Sequence, residues 1–233
     1  MPSLKPATEQ NKFNGTIGDV SAGLSRKEKE YLQRRQTILE AALKLFSAKG
    51  YAGASMQEIA QASEFSIGTL YNFFETKEDL YHTIIEEKFR QAKESIEAAL
   101  LDEKSCLEKI NKAVGALLNF MEENREFFNI FLGLRSAPEA GMHGGAQEKV
   151  MEYYQEHVRF FRELMQEGIR EGLFRDFSSL ELALSLIGNF NAVIHDWLMG
   201  PGDKSLMAQH ARILDLFFHG ALKHTSTEKQ KRG

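Results

Sequence analysis

No proline lies between Pro6 and Pro138, and only Pro201 follows; with Pro2 these are the chain's four. Nothing from Ser25 to Ser136 therefore forces a helix to break. Apolar residues recur at spacings of three and four almost throughout, and no strand-like alternation is sustained. The pattern predicts an all-α chain whose helices are ended by caps and glycines.

The helices can be placed from those signals. The first runs from about Arg26 to Lys49 and is stopped by Gly50; its apolar face is Tyr31, Ile38, Leu39, Ala42, Leu45 and Phe46. Ser55 and Glu58, Ser105 and Glu108, and Ser178 and Glu181 have capping-box spacing. Ser66 caps a short helix, and Thr76 caps one running to about Leu101. Further helices are expected over 125–134, 147–171 and 204–223, with a loop at "RSAPEAGMHGGA" and a hard break at Gly200-Pro201-Gly202. Residues 1–25 read as a flexible polar arm and 225–233 as a frayed tail.

The 233 residues leave room for one large domain or two smaller ones. One cysteine, Cys106, allows neither an internal disulfide nor a cysteine zinc site. With no signal-like apolar run at the start, a cytoplasmic location is expected. The most apolar stretch, "LELALSLIGNFNAVIHDWLMG", carries too many polar groups for a membrane span. The formal net charge is −4, yet residues 26–50 carry +4. A basic end and an acidic body follow, and a basic end suits a phosphate backbone.

The most informative stretch is "SMQEIAQASEFSIGTLYNFFETKEDL". Two short helices flank a tight turn, as in a helix-turn-helix. Leu70 and Phe74 share the inner face of the second. Its other face holds Ser66, Ile67, Gly68, Thr69, Tyr71 and Asn72, a poor choice for packing alone. Gly68 costs helix stability of roughly 1 kcal/mol relative to Ala, which makes sense where something approaches the backbone closely. Ser66 and Thr69 offer hydroxyls to phosphates and base edges. Lys77 in a first helical turn opposes the dipole, so a nearby anion would explain it.

This run resembles the DNA-binding domain of TetR-type transcriptional regulators. It matches the family pattern at Ser55, Ile59, Ala60, Ser66, Gly68, Thr69, Leu70, Tyr71, Phe74, Lys77, Glu78 and Leu80. The usual Ala-Gly-Val of the turn is replaced by Ser63-Glu64-Phe65, placing a non-glycine where positive φ is needed, at a cost of order 1 kcal/mol. The resemblance implies that Ser55, Tyr71 and Lys77 hold phosphates of double-stranded DNA. Ile67, Gly68, Thr69 and Asn72 face bases or sugars, Ile67 against a thymine methyl. It also implies a DNA-binding domain over 26–81 and a helical ligand-binding and dimerisation domain over 82–224.

On that pattern the protein is a ligand-responsive regulator, a repressor in the family's usual sense. It would bind a palindrome as a homodimer and be released by a small, largely apolar effector as the helix from Lys77 to Leu101 swings. The last two helices are apolar enough to need cover from a second copy, with Leu186, Phe190, Ile194, Leu214, Phe217 and Phe218 as the interface. Met121, Phe127, Phe128, Phe131, Tyr154, Phe161, Phe190 and Trp197 are the candidate pocket lining, although core packing is the commoner role for each. His157, Asn189, Asn191, His195 and Asp196 are candidate polar handles.

No cofactor or metal is expected. His219 and His224 are poorly spaced for zinc. An enzyme is the main alternative, but no nucleophile elbow, P-loop or dinucleotide fingerprint is present. The other alternative is an interaction module that keeps the helix-turn-helix for packing. The exposed set Gly68, Thr69, Tyr71 and Lys77 argues against it.

Overall fold

Serine and threonine hydroxyls open most of the helices. The computed structural model describes residues 23–103, 105–136, 145–200 and 204–222, with side chains described for all of these except 131–136 and 145–147. Residues 1–22 of the expected arm, the loop around Pro138, Pro201 and the tail lie outside the described residues. Those described form α1 (Arg26–Gly53), α2 (Met56–Ala62), α3 (Ile67–Tyr71), α4 (Lys77–Leu100), α5 (Cys106–Glu123), α6 (Arg125–Ser136), α7 (Gly145–Arg170), α8 (Ser179–Met199) and α9 (His210–Ala221). No strand is present among the described residues. The fold is all-α, as the helical periodicity requires.

Capping boxes form at Ser55 with Glu58 and Ser178 with Glu181. Another, Ser25 with Glu28, starts α1. The Ser66 and Thr76 hydroxyls accept from the backbone N–H of Thr69 and Asp79. Ser105 is the exception: it precedes α5 but makes no side-chain cap. Gly50 does break α1, at φ 71°. The chain then makes one more turn through Tyr51 before α2, because left-handed backbone at a glycine carries no Cβ penalty.

The final helix starts later than its periodicity suggests. Residues 207–209 are a 3₁₀ turn and α9 begins at His210. Tertiary contacts impose this. The Glu122 carboxylate accepts from the Met207 N–H at 2.8 Å and the Ser205 hydroxyl at 3.1 Å. The Trp197 indole donates to the Lys204 carbonyl at 2.7 Å. These bonds hold the segment against α5 and α8 in a shape a helix cannot adopt.

α1, α2 and α3 share a core of Ile38, Ala42, Phe46, Ile59, Leu70 and Phe74. α4 joins that unit to the body, packing on α1, α5 and α7. α1 also packs on α6, and α8 lies against α7 and α9. Among the described residues, the α1–α3 unit meets the rest of the chain mainly through α1, which packs on α4 and on α6.

Candidate nucleic-acid interface and effector cavity

α2 and α3 are joined by a turn whose one strained residue is Glu64, at φ 60°. This is where the substituted Gly of the family pattern falls, so the expected strain is real. Two contacts hold the turn. The buried Ser63 hydroxyl donates to the Ile59 carbonyl at 2.8 Å, and the Phe65 N–H donates to the Ala60 carbonyl at 3.0 Å.

α3 then presents two unlike faces. Leu70 is fully buried and Phe74 nearly so. Ser66, Gly68, Tyr71 and Asn72 are exposed, Tyr71 at 51%. A Cβ added at Gly68 would meet only the Ser66 Oγ, 3.9 Å away, so nothing in the protein itself requires the glycine. The Ser66 and Thr69 hydroxyls lie 2.8 Å apart, which pre-orients both. Ile67 is half-buried and packs on the core, so it offers only part of its side chain outward.

Two predicted phosphate ligands have other work. The Ser55 hydroxyl donates to Glu58 at 2.7 Å and accepts from the Glu58 N–H at 3.2 Å. The bond from Lys49, with help from Ser55, lowers the Glu58 carboxyl to about 2. The Lys77 ammonium donates to the carbonyls of Tyr51 and Ala54 at 2.7 and 3.0 Å. It also sits 4.3 Å above the centre of the Tyr51 ring. A lysine against the α4 dipole is thus explained by carbonyl oxygens inside the protein. One donor remains for an outside anion.

A cavity of about 720 Å³ lies between α4, α5, α7 and α8. Ile96, Leu117, Met121, Phe128, Ile187 and Phe190 wall it, and Arg90, Lys93, Arg159 and Glu163 are among its polar lining. Of the predicted lining residues, Met121, Phe128, Tyr154 and Phe190 are in the wall, with the handles His157 and Asn191. Burial lowers the His157 imidazole to about 4, so it is neutral there.

Three others are not in the wall. Phe127 packs edge-on against Phe89 and Phe128. Phe161 is buried behind Phe160. Trp197 donates to the Lys204 carbonyl and lies under the Arg125 guanidinium at 4.3 Å. The Phe131 side chain lies outside the described residues. Phe89, Tyr153 and Arg35 line the cavity without having been singled out for it. Arg35 was hidden among the basic residues of α1.

The predicted dimer face needs correction. Leu186, Phe190, Ile194, Leu214 and Phe217 are all buried inside the protomer, and Phe218 is half-buried against the core. α8 packs on both α7 and α9, so its most apolar positions are consumed within one subunit. What remains exposed is Leu180, Leu184, Met199 and Leu216, beside Gly188 and Gly220. His195 and Asp196 are exposed on α8 as well, while the Asn189 amide ties α8 to the Ile213 carbonyl.

The comparison with known proteins fits this geometry. Residues 38–84 match the model of bacterial regulatory proteins of the tetR family, and 103–221 match the Tetracyclin repressor-like C-terminal domain. The chain belongs to the TetR family of transcriptional regulators. Its helix-turn-helix is that family's DNA-binding element, and its body is that family's C-terminal domain. One similar protein is the Fatty acid metabolism regulator protein of Bacillus subtilis, 22% identical, covering 84% of this chain and 98% of that one. Two solved structures share the fold of this TetR-family chain. The fatty acid degradation regulator FadR of Bacillus halodurans has a TM-score of 0.70 at 21% identity, covering 82% and 97% of the two chains. FadR of Bacillus subtilis, solved in complex with stearoyl-CoA, has 0.69 at 21%, covering 79% and 98%. No described helix is long and apolar enough to cross a membrane.

Proposed function

We propose that this TetR-family regulator is a repressor that reads a palindromic operator as a homodimer and is released by a small apolar effector. The observation that carries the reading is the coexistence, in one protomer, of the exposed polar face of α3 and the apolar-walled cavity beside α4. Tyr71 and Asn72 project from α3, Gly68 allows close approach, and Lys77 braces the unit from behind. A second copy covers Leu184, Met199 and Leu216, which sets the two reading helices one groove repeat apart.

The effector is a long apolar chain of the fatty-acyl kind. The aromatic and methionine lining suits such a chain, and the similar fatty acid regulators support the assignment. The test is selection of genomic fragments by the purified protein, followed by sequencing. The reading predicts enrichment of a palindrome with half-sites about 10 bp apart, centre to centre. It also predicts that a panel of acyl chains raises the melting temperature. No enriched motif and no shift with any chain would reject it.

A further inference from the structure

We infer that Arg35 senses the charge of the cavity's occupant and passes it to the reading helix. The occupant is then an apolar chain that ends in an anionic group. This rests on the cavity being the effector site.

Arg35 lies on α1, inside the DNA-reading unit, yet it lines the cavity. Among the described residues it is the sole lining residue from 26–81. Its guanidinium pairs with Glu87 of α4, which also lines the cavity; their side chains are 27% and 21% exposed. The same guanidinium lies over the Phe74 ring, 5.5 Å from its centre. One turn earlier on α1, Tyr31 stacks on Phe73 at 4.7 Å. Phe73 and Phe74 directly follow Asn72, at the end of α3. One face of α1 therefore touches the cavity with one residue and the segment that follows the reading helix with two.

The ion pair decides which occupants matter. A neutral chain gains nothing by separating Arg35 from Glu87, because a half-buried carboxylate left unpaired is costly. An anion that takes the place of Glu87 on the guanidinium also leaves that carboxylate unpaired, but its own charge-assisted, bidentate contact offsets the cost, which a neutral chain cannot do. That exchange removes the α1–α4 pair and draws the guanidinium from Phe74. The other cations nearby serve this less well. Arg90, paired with Glu94 at 2.7 Å, lies on α4 and not on α1, and Lys93 and Arg159 are exposed, where solvent and salt screen them. The neighbouring Glu86 pairs with Lys149 of α7. The coupling thus depends on the effector's charge as well as its bulk.

The test uses the full chain and three probes of one chain length: dodecanol, dodecanoate and dodecanoyl-CoA. Each displaces the neutral dye Nile red from wild type, Arg35→Gln and Glu87→Gln. An anionic probe is expected to bind wild type about tenfold more tightly than dodecanol, near 1.4 kcal/mol. Arg35→Gln is expected to abolish that preference, so that the anionic probes and dodecanol bind the variant with equal affinity. Glu87→Gln, which removes the competing carboxylate, is expected to strengthen the anion. It also keeps the test decisive should Arg35→Gln fold poorly. Whichever anionic probe shows these changes separates a carboxylate head from a nucleotide thioester. Equal binding of all three probes to wild type, or a preference untouched by the variants, overturns the role of Arg35 while leaving the cavity as the effector site. Failure of every probe to displace the dye rejects the effector site itself, and the inference with it.

Discussion

The Lys77 ammonium reaches back from the first turn of α4 to the Tyr51 carbonyl, 2.7 Å away, and covers the ring of the same residue. One side chain thus ties the break after α1 to the start of the helix that leaves the reading unit. Charge-assisted bonds are worth about 1.5–3 kcal/mol each where a partner is left unsatisfied. Lys77→Ala is therefore expected to destabilise the fold by about 2–3 kcal/mol, read as a lower urea midpoint. A DNA-binding loss in that variant counts only alongside its stability. An unchanged midpoint would mean that the carbonyls find other partners.

Gly68 gives the opposite sign on the two readouts. Its Cβ position is open apart from the Ser66 Oγ. Gly68→Ala is expected to raise stability by a few tenths to about 1 kcal/mol, through helix propensity. It is also expected to weaken DNA binding, because the new methyl projects from the exposed face proposed to meet DNA. Thermal unfolding and anisotropy on one preparation check both. Unweakened binding would place the DNA elsewhere on α3.

The exposed stripe on α8 and α9 sets a prediction for assembly. Leu184, Met199 and Leu216 are 43%, 72% and 60% exposed, and Gly188 and Gly220 leave room for close helix approach. Leu184→Glu with Leu216→Glu is expected to yield folded monomers by sedimentation, since each charge would face an apolar partner. Leu186→Glu is expected to unfold the protomer, because Leu186 is internal. Folded dimers in the double variant would put the interface on another face.

His157 makes stability depend on pH. Burial lowers its pKa from the ordinary 6.5 to about 4. The unfolded chain takes up a proton near pH 6.5 and the folded chain only near 4, so stability falls as pH drops through that window. Between pH 7 and 5 the loss is about 2 kcal/mol. His157→Gln is expected to remove most of that slope in urea unfolding. An equal slope in the variant would assign the dependence to carboxylates.

Local chemistry made much of this legible in the chain itself. Caps at Ser55, Ser66, Thr76 and Ser178 use only residues a turn away, so spacing predicts them. The strain at Glu64 followed from a missing glycine in a turn of known shape. Long-range packing hid the rest. The late start of α9 depends on Glu122, far away in sequence. Leu186 and Leu184 look alike in a helix that is apolar nearly all round, and only the packing of α7 and α9 decides which is internal. Lys77 and Arg35 look like surface cations until the fold gives each an acceptor. Pocket residues differ from core residues only in what lies opposite them, which explains why Phe128 and Phe127 separate in the structure but not in the sequence.

The most direct test of the DNA-reading claim is fluorescence anisotropy of a selected genomic fragment, comparing wild type with Tyr71→Ala across a salt series. Tyr71 is exposed on α3, so the substitution leaves the core intact. Affinity is expected to fall linearly with salt on a log–log plot, and Tyr71→Ala to bind about tenfold more weakly at an unchanged melting temperature. Equal binding by wild type and variant at every salt concentration would contradict it.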